Sequence, residues 1–358
     1  MRKGVSLILA IPLVFNLGEV LNSNLSNNEL NLKFFAFYIL PLLLSFLLFK
    51  SITLTREIAS VHIIRRLSIL AIISVVPFAF FFISNVKAFD LVQYAQFMES
   101  YRNGAFKGSG VFTFLATNIF PLTYCYSLFH YKIPITSNVI FAIAAILPPI
   151  ALGLRVWLIP LFIVSTILLL SKKKNLFQIF AFALFILTLI LSTKLILAPD
   201  LYSSDFQSVI LKILSRTNYQ AISTPPDLNL LSKTGFLNFY EMKEYFYYRN
   251  QIHIENLYFN RIGNTGGIAM PLTIFLTNTF GYYVSSMLLF LIFLIIFSLL
   301  RISAGRNISL ITKNMVLNLA IILIAMIIED VYFATKIFIL PVLMIVAHLT
   351  FVKKPFTL

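Results

Sequence analysis

An all-α polytopic membrane helix bundle of about ten transmembrane helices, with a large, partly helical extracytoplasmic loop, is the fold class this sequence predicts. Three observations lead there. Charged residues make up 11% of the chain and hydrophobic ones 59%, with a mean hydropathy of +0.91. Soluble domains average about 25% charged and about 45–50% apolar residues, and a fold of this length has too little interior to hide the excess. Apolar runs of spanning length recur along the chain, and basic residues gather in alternate connections between them.

A bilayer's hydrocarbon core needs roughly 17–25 apolar residues per helix. Such runs fall near residues 5–21, 34–49, 67–84, 111–129, 138–153, 156–171, 176–195, 280–300, 314–330 and 332–351. The first follows Met1-Arg2-Lys3 as a signal peptide would, but no small-residue cleavage site follows it, so it is expected to stay as the first helix. The fifth and sixth runs nearly abut at Gly153-Leu154-Arg155, and the ninth and tenth at Glu329-Asp330; each pair is expected to form a helical hairpin. Ile268 to Phe280 is apolar but too short to span. It reads either as a re-entrant segment or as the upper extension of a long, kinked eighth helix.

Lys and Arg resist translocation and mark cytoplasmic loops. With the N-terminus cytoplasmic and strict alternation, the cytoplasmic side holds Arg2, Lys3, Lys50, Arg56, Arg65, Arg66, Lys132, Lys172, Lys173, Lys174, Arg301, Arg306, Lys313, Lys353 and Lys354 against one acid, Glu57. Every cytoplasmic connection is then net positive, and both termini are cytoplasmic. The same asymmetry accounts for the formal charge of +15 without nucleic acid as a partner.

The outer side holds an Asn-rich loop over 22–33, a loop over 85–110 with Asp90, Glu99, Arg102 and Lys107, and a long loop over 196–267. No other extramembrane domain is visible, so 1–358 reads as a single integral membrane domain with 196–267 as its large loop. Aromatic residues run through that loop, which disordered segments lack. Asp205 to Arg216 has apolar residues at a helical period, and Gly235 to Tyr248 is a second helical stretch. The run Tyr245-Phe246-Tyr247-Tyr248 suits a membrane interface and, equally, a platform for the apolar faces of sugar rings. Arg249, Asn250, Gln251, His253, Glu255 and Asn256 follow at once, then Arg261, Asn264 and Thr265. Gly263, Gly266 and Gly267 would let backbone amides approach an anion.

Arg155 falls between two short apolar runs, where a charge at membrane depth costs about 2.5–3.5 kcal/mol unless it snorkels to the interface. Lys194 and Lys336 stand in the same position, with Glu329 and Asp330 available as partners. The lone Cys125 forms no internal disulfide, and His62, His130, His253 and His348 lack metal-ligand spacing. Neither a phosphate-binding loop nor an Asp-x-Asp pair is present, so no cofactor, metal or nucleotide sugar is expected.

The plan resembles the bacterial O-antigen and capsular polysaccharide polymerases of the Wzy type. The resemblance rests on the many-helix layout with basic cytoplasmic loops, on Gly153-x-Arg155 opening a mid-chain helix, and on the late loop with Tyr248-Arg249-Asn250-Gln251, a Gly-rich stretch and Phe280-Gly281-Tyr282. Some members carry an Arg with Gly eleven residues on. Here Thr113, Asp227 and Asn260 stand at that offset from Arg102, Arg216 and Arg249, so no role is carried over from that pattern.

The resemblance implies a multi-pass, metal-independent glycosyltransferase acting at the outer face of a bacterial cytoplasmic (inner) membrane. It would move a growing glycan from undecaprenyl diphosphate to a hydroxyl of a new lipid-linked repeat unit, with membrane lipids and a chain-length regulator as further partners. Arg155, Arg249 and Arg261 are the candidates to stabilise the diphosphate, since arginines do so without a metal. His253 is the candidate base, with Glu255 as alternate. Tyr247, Tyr248, Asn250, Asn264 and Arg102 are the candidate substrate-binding residues. Rival readings are a lipid-linked oligosaccharide flippase, an O-antigen ligase and a membrane acyltransferase built on His348.

Overall fold

The computed structural model describes residues 2–13, 28–48, 54, 56–85, 97, 110–152, 158–171, 272–305 and 308–328. Helix accounts for 90% of them, which makes the fold all-α. In chain order the elements are α1 (Arg2–Leu9), α2 (Asn28–Leu48), β1 (Glu57–Ile58), α3 (Val61–Asn85), α4 (Gly110–Phe114), a π-helical turn (Leu115–Ile119), α5 (Phe120–His130), β2 (Tyr131–Lys132), α6 (Ile135–Ala151), α7 (Ile159–Ser171), α8 (Leu272–Ser303) and α9 (Leu310–Ile328). Four helical stretches are long and apolar enough to cross a membrane: Val61–Asn85, Gly110–His130, Phe280–Ser303 and Leu310–Ile328. Their outer faces agree with that use. Ile72, Phe80 and Ile83 of α3 are 61%, 73% and 71% exposed, a stripe that water would not tolerate and lipid would cover. The expected spans 176–195 and 332–351, and the whole 196–267 loop, lie outside the described residues.

The chain divides into two compact units. The first contains α3 to α7. Ser60 starts α3 by accepting a bond from the Ile63 amide on its Oγ, at 3.4 Å, and Ser84 and Asn85 end it by donating to the Phe81 carbonyl at 2.9 and 2.7 Å. The extended backbone of Tyr131 stops α5, and Pro134 restarts the chain as the N-cap of α6. Between them, β2 pairs in parallel with β1, Glu57 opposite Tyr131 and Ile58 opposite Lys132. The charge pattern assigns these two connections to one side of the membrane, and the pairing does place them at one end of the unit. The expected hairpin of the fifth and sixth runs is corrected here. Among the described residues α6 packs on α3, the π-helical turn and α5, and α7 packs on α5, rather than on each other.

The second unit contains α1, α2, α8 and α9. A short turn at Ala304-Gly305 folds α8 back on α9, which Ser309 opens as a hydroxyl cap: its Oγ accepts from the Thr312 amide at 3.2 Å. The segment 272–280 is helical and meets the eighth span across a kink at Gly281 (φ 75°, ψ 174°). Packing between α2 and its neighbours centres on Tyr38. The Tyr38 hydroxyl donates to the Leu9 carbonyl at 2.6 Å, and its ring meets Phe293 edge-on at 5.6 Å. Tyr38→Phe keeps the ring contact and removes only the bond. In lipid-embedded bundles such bonds average about 0.6 kcal/mol, so a small drop in apparent Tm in detergent is expected, and Phe293→Ala should cost more. Equal losses would show that the hydroxyl, not the packing, fixes α2.

Candidate functional site

All the residues singled out by sequence for catalysis or substrate binding lie outside the described residues: Arg102, Arg155, Tyr247, Tyr248, Arg249, Asn250, His253, Glu255, Arg261 and Asn264. The same holds for Lys194, Glu329, Asp330, Lys336 and His348. Buried polar side chains occur in both units (Thr273, Ser285 and Asn318 in the second), but in the first unit they gather at two levels.

The deeper level is the π-helical turn inside the Gly110–His130 span. The Phe120 amide donates to the Leu115 carbonyl, one residue further back than an α-helix allows. Such turns add a residue without ending the helix and recur at functional positions. Thr113, Thr117 and Asn118 are all buried here. The Thr117 hydroxyl donates to the Thr113 carbonyl at 2.7 Å, and Asn118 Nδ2 donates to Thr117 Oγ1, also at 2.7 Å. Thr113 Oγ1 is buried with no hydrogen-bond partner among the described residues. One side of the turn is apolar: Ala116 packs with Phe78, Phe97 and Leu152. The polar group is therefore a short chain of hydroxyl and amide donors inside a spanning helix, suited to hydrogen-bond a neutral polar ligand group. Hydroxyls of Thr123 and Ser127 continue the series on the following turns, each bonded to the carbonyl four residues back.

The second level is the β1–β2 clasp. Arg56 donates from Nε to the Tyr131 carbonyl at 3.1 Å and from Nη2 to the same oxygen. Burial lowers the Arg56 pKa from its ordinary value, while burial and then the Glu57 charge raise that of Tyr131. Nearby, the Tyr124 hydroxyl bonds to the Asn138 carbonyl oxygen and Oδ1 at 3.0 and 2.9 Å, tying α5 to α6.

Neither level was foreseen from sequence. Thr113-x3-Thr117-Asn118 was available as a signal, three polar residues within an otherwise apolar run. Among the described residues no three of His, Cys, Asp and Glu gather as a metal site requires. No protein-family model matches the chain, and neither a curated protein nor a solved structure does.

The unpaired Thr113 hydroxyl gives a prediction. Thr113→Val is nearly isosteric and removes a buried group that costs about 1–3 kcal/mol when unsatisfied. It is expected to raise the apparent Tm in detergent. Thr117→Val removes two hydrogen bonds and is expected to lower it. Shifts of the same sign in both variants would contradict this assignment of the bonds.

Proposed function

We propose that this protein is a polysaccharide polymerase of the outer face of a bacterial cytoplasmic membrane. It joins lipid-diphosphate-linked oligosaccharide repeat units into O-antigen or capsular glycan. One observation carries the reading: a single long polar loop, 196–267, interrupts an otherwise apolar chain and concentrates aromatic, basic and amide side chains at 245–264. The all-α membrane bundle supports it as a scaffold. The finer arrangement, ten spans with both termini cytoplasmic, belongs to the same proposal.

In this reading the acceptor sugar hydroxyl attacks the anomeric carbon of the donor. The carbon–oxygen bond to the diphosphate breaks, and the hydroxyl proton passes to His253, or to Glu255 in its place. Arg155, Arg249 and Arg261 hold the departing diphosphate, whose charge grows in the transition state. Arg102, Tyr247, Tyr248, Asn250 and Asn264 orient the sugars. No cofactor is required, and a chain-length regulator is an expected partner. An O-antigen ligase would share this chemistry and differ in the acceptor. A flippase draws support from the buried Thr113, Thr117 and Asn118 group inside a span, since polar side chains there suit a transport path.

Glycan length in a deletion strain separates these readings. A polymerase deletion leaves single repeat units at the surface, and the wild-type gene restores the ladder. A ligase deletion leaves long glycan on its lipid carrier. Loss of even the single-repeat product, with lipid-linked units retained inside, would reject polymerisation in favour of the flippase.

A further inference from the structure

The β1–β2 clasp brings together basic residues far apart in sequence. Arg56 bonds the Tyr131 carbonyl next to Lys132, which stands opposite Ile58, and α3 begins immediately beyond with His62, Arg65 and Arg66. Lys132, His62, Arg65 and Arg66 are exposed. Glu57 is the acidic residue among them. A guanidinium carries five N–H groups, and Arg56 directs two nitrogens at one carbonyl oxygen, so donors remain. Both of its hydrogen bonds go to a neutral acceptor, and its charge is left uncompensated by a bonded carboxylate among the described residues.

Beside this charge the surface is apolar. Ile58, Val61 and Ile135 are 81%, 78% and 83% exposed. Ile58 lies opposite Lys132 in the clasp, while Val61 and Ile135 open α3 and α6. The candidate spans Val61–Asn85 and Gly110–His130 begin and end at this point, so a bilayer crossed by them would bring it to the depth of lipid head groups. Water would disfavour the three branched side chains, and the acyl region would disfavour the arginines. The boundary between them satisfies both, with phosphate on the basic groups and the glycerol and first methylenes on the isoleucines. A free anion would use only half of this surface.

We propose that the β1–β2 clasp and the first turns of α3 form a binding site for the head group of an anionic phospholipid. The site is independent of the polymerase reading and rests on the membrane fold alone. Its occupant bridges the connection before α3 to the connection after α5, and so fixes the end of the first unit against the bilayer.

Native mass spectrometry of the purified full-length chain, equilibrated with mixed phosphatidylglycerol and phosphatidylcholine, tests this directly. Phosphatidylglycerol is expected to be retained preferentially. A basic residue near an anionic surface contributes about 1 kcal/mol, so Lys132→Gln should weaken retention about fivefold, and Arg65→Gln with Arg66→Gln further. These side chains are exposed, so the variants should fold. Arg56→Gln also removes the bonds to Tyr131 and serves only to confirm the direction. Ile58→Asn should weaken retention as well, and inorganic phosphate should not displace the lipid. Equal retention of both lipids, or no change on removing Lys132, Arg65 and Arg66, would overturn the site. Displacement by phosphate would overturn its assignment to a lipid.

Discussion

On the proposed function, Arg249→Ala is expected to leave single repeat units where a polymerase builds a ladder, at unchanged protein level in the membrane. The diphosphate leaving group gains negative charge as its bond to the sugar breaks. A positioned donor that strengthens only in the transition state contributes to the rate rather than to ground-state binding. Removing one such donor typically lowers turnover about 10²–10³-fold. Arg249→Lys separates charge from geometry. Lysine keeps a point charge but loses the planar fork that meets two phosphate oxygens at once, so activity between wild type and Arg249→Ala is expected. The readout is turnover of lipid-linked repeat units by the purified protein, with glycan length in cells as the parallel measure. Arg249 lies within the polar cluster at 245–264, so a normal ladder from Arg249→Ala would remove the loop from the chemistry and leave the polymerase reading without its main support.

How far the sequence could be read depends on what each feature demands of composition. A spanning helix must be apolar over a length set by the bilayer, and α3, α8 and α9 follow the expected runs closely for that reason. The two-residue β1–β2 pairing imposes no period, and the Arg56 side chain that secures it bonds a carbonyl 75 residues away, at Tyr131. Only the shared charge of the two connections hinted that they lie together. The π-helical turn adds a residue without changing hydropathy, so the run 111–129 looked like an ordinary span while Thr113, Thr117 and Asn118 were buried within it. The expected hairpin of α6 and α7 failed because short spacing in sequence does not decide which neighbour offers the better packing face. Here α3 and the aromatic series on α5 do so: α6 lies against α3, Phe120 and Tyr124 both meet Phe141 of α6 edge-on, at 6.3 and 6.1 Å, and Cys125 Sγ bonds to the Pro160 carbonyl of α7. The candidate catalytic residues carry no such packing signal. Their assignment rests on residue type and proximity in sequence.

Irregular backbone inside a spanning helix survives only where protein surrounds it, and Gly281 is the sharper of the two cases here. Its φ of 75° with ψ of 174° belongs to a region that side chains almost never occupy. Two contacts hold the chain just past the break on α2: Tyr282 meets Phe37 edge-on at 5.8 Å, and the Ser286 hydroxyl donates to the Phe37 carbonyl at 3.1 Å. Adding a Cβ at 281 either strains this geometry by about 1–3 kcal/mol or drives α8 toward a continuous helix, which would turn 272–280 away from its present course. Gly281→Ala is therefore expected to lower the apparent Tm in detergent. Gly110→Ala is the matched control. A Cβ there meets nothing within 4 Å and the backbone is not left-handed, so a neutral or slightly stabilising effect is expected, up to about 1 kcal/mol. The segment 272–280 directly follows the polar loop in sequence, so on the proposed function Gly281→Ala should also shorten the glycan ladder. Matching melting curves for the two variants would mean that the break at Gly281 stores no strain and that α8 passes freely between its bent and straight forms.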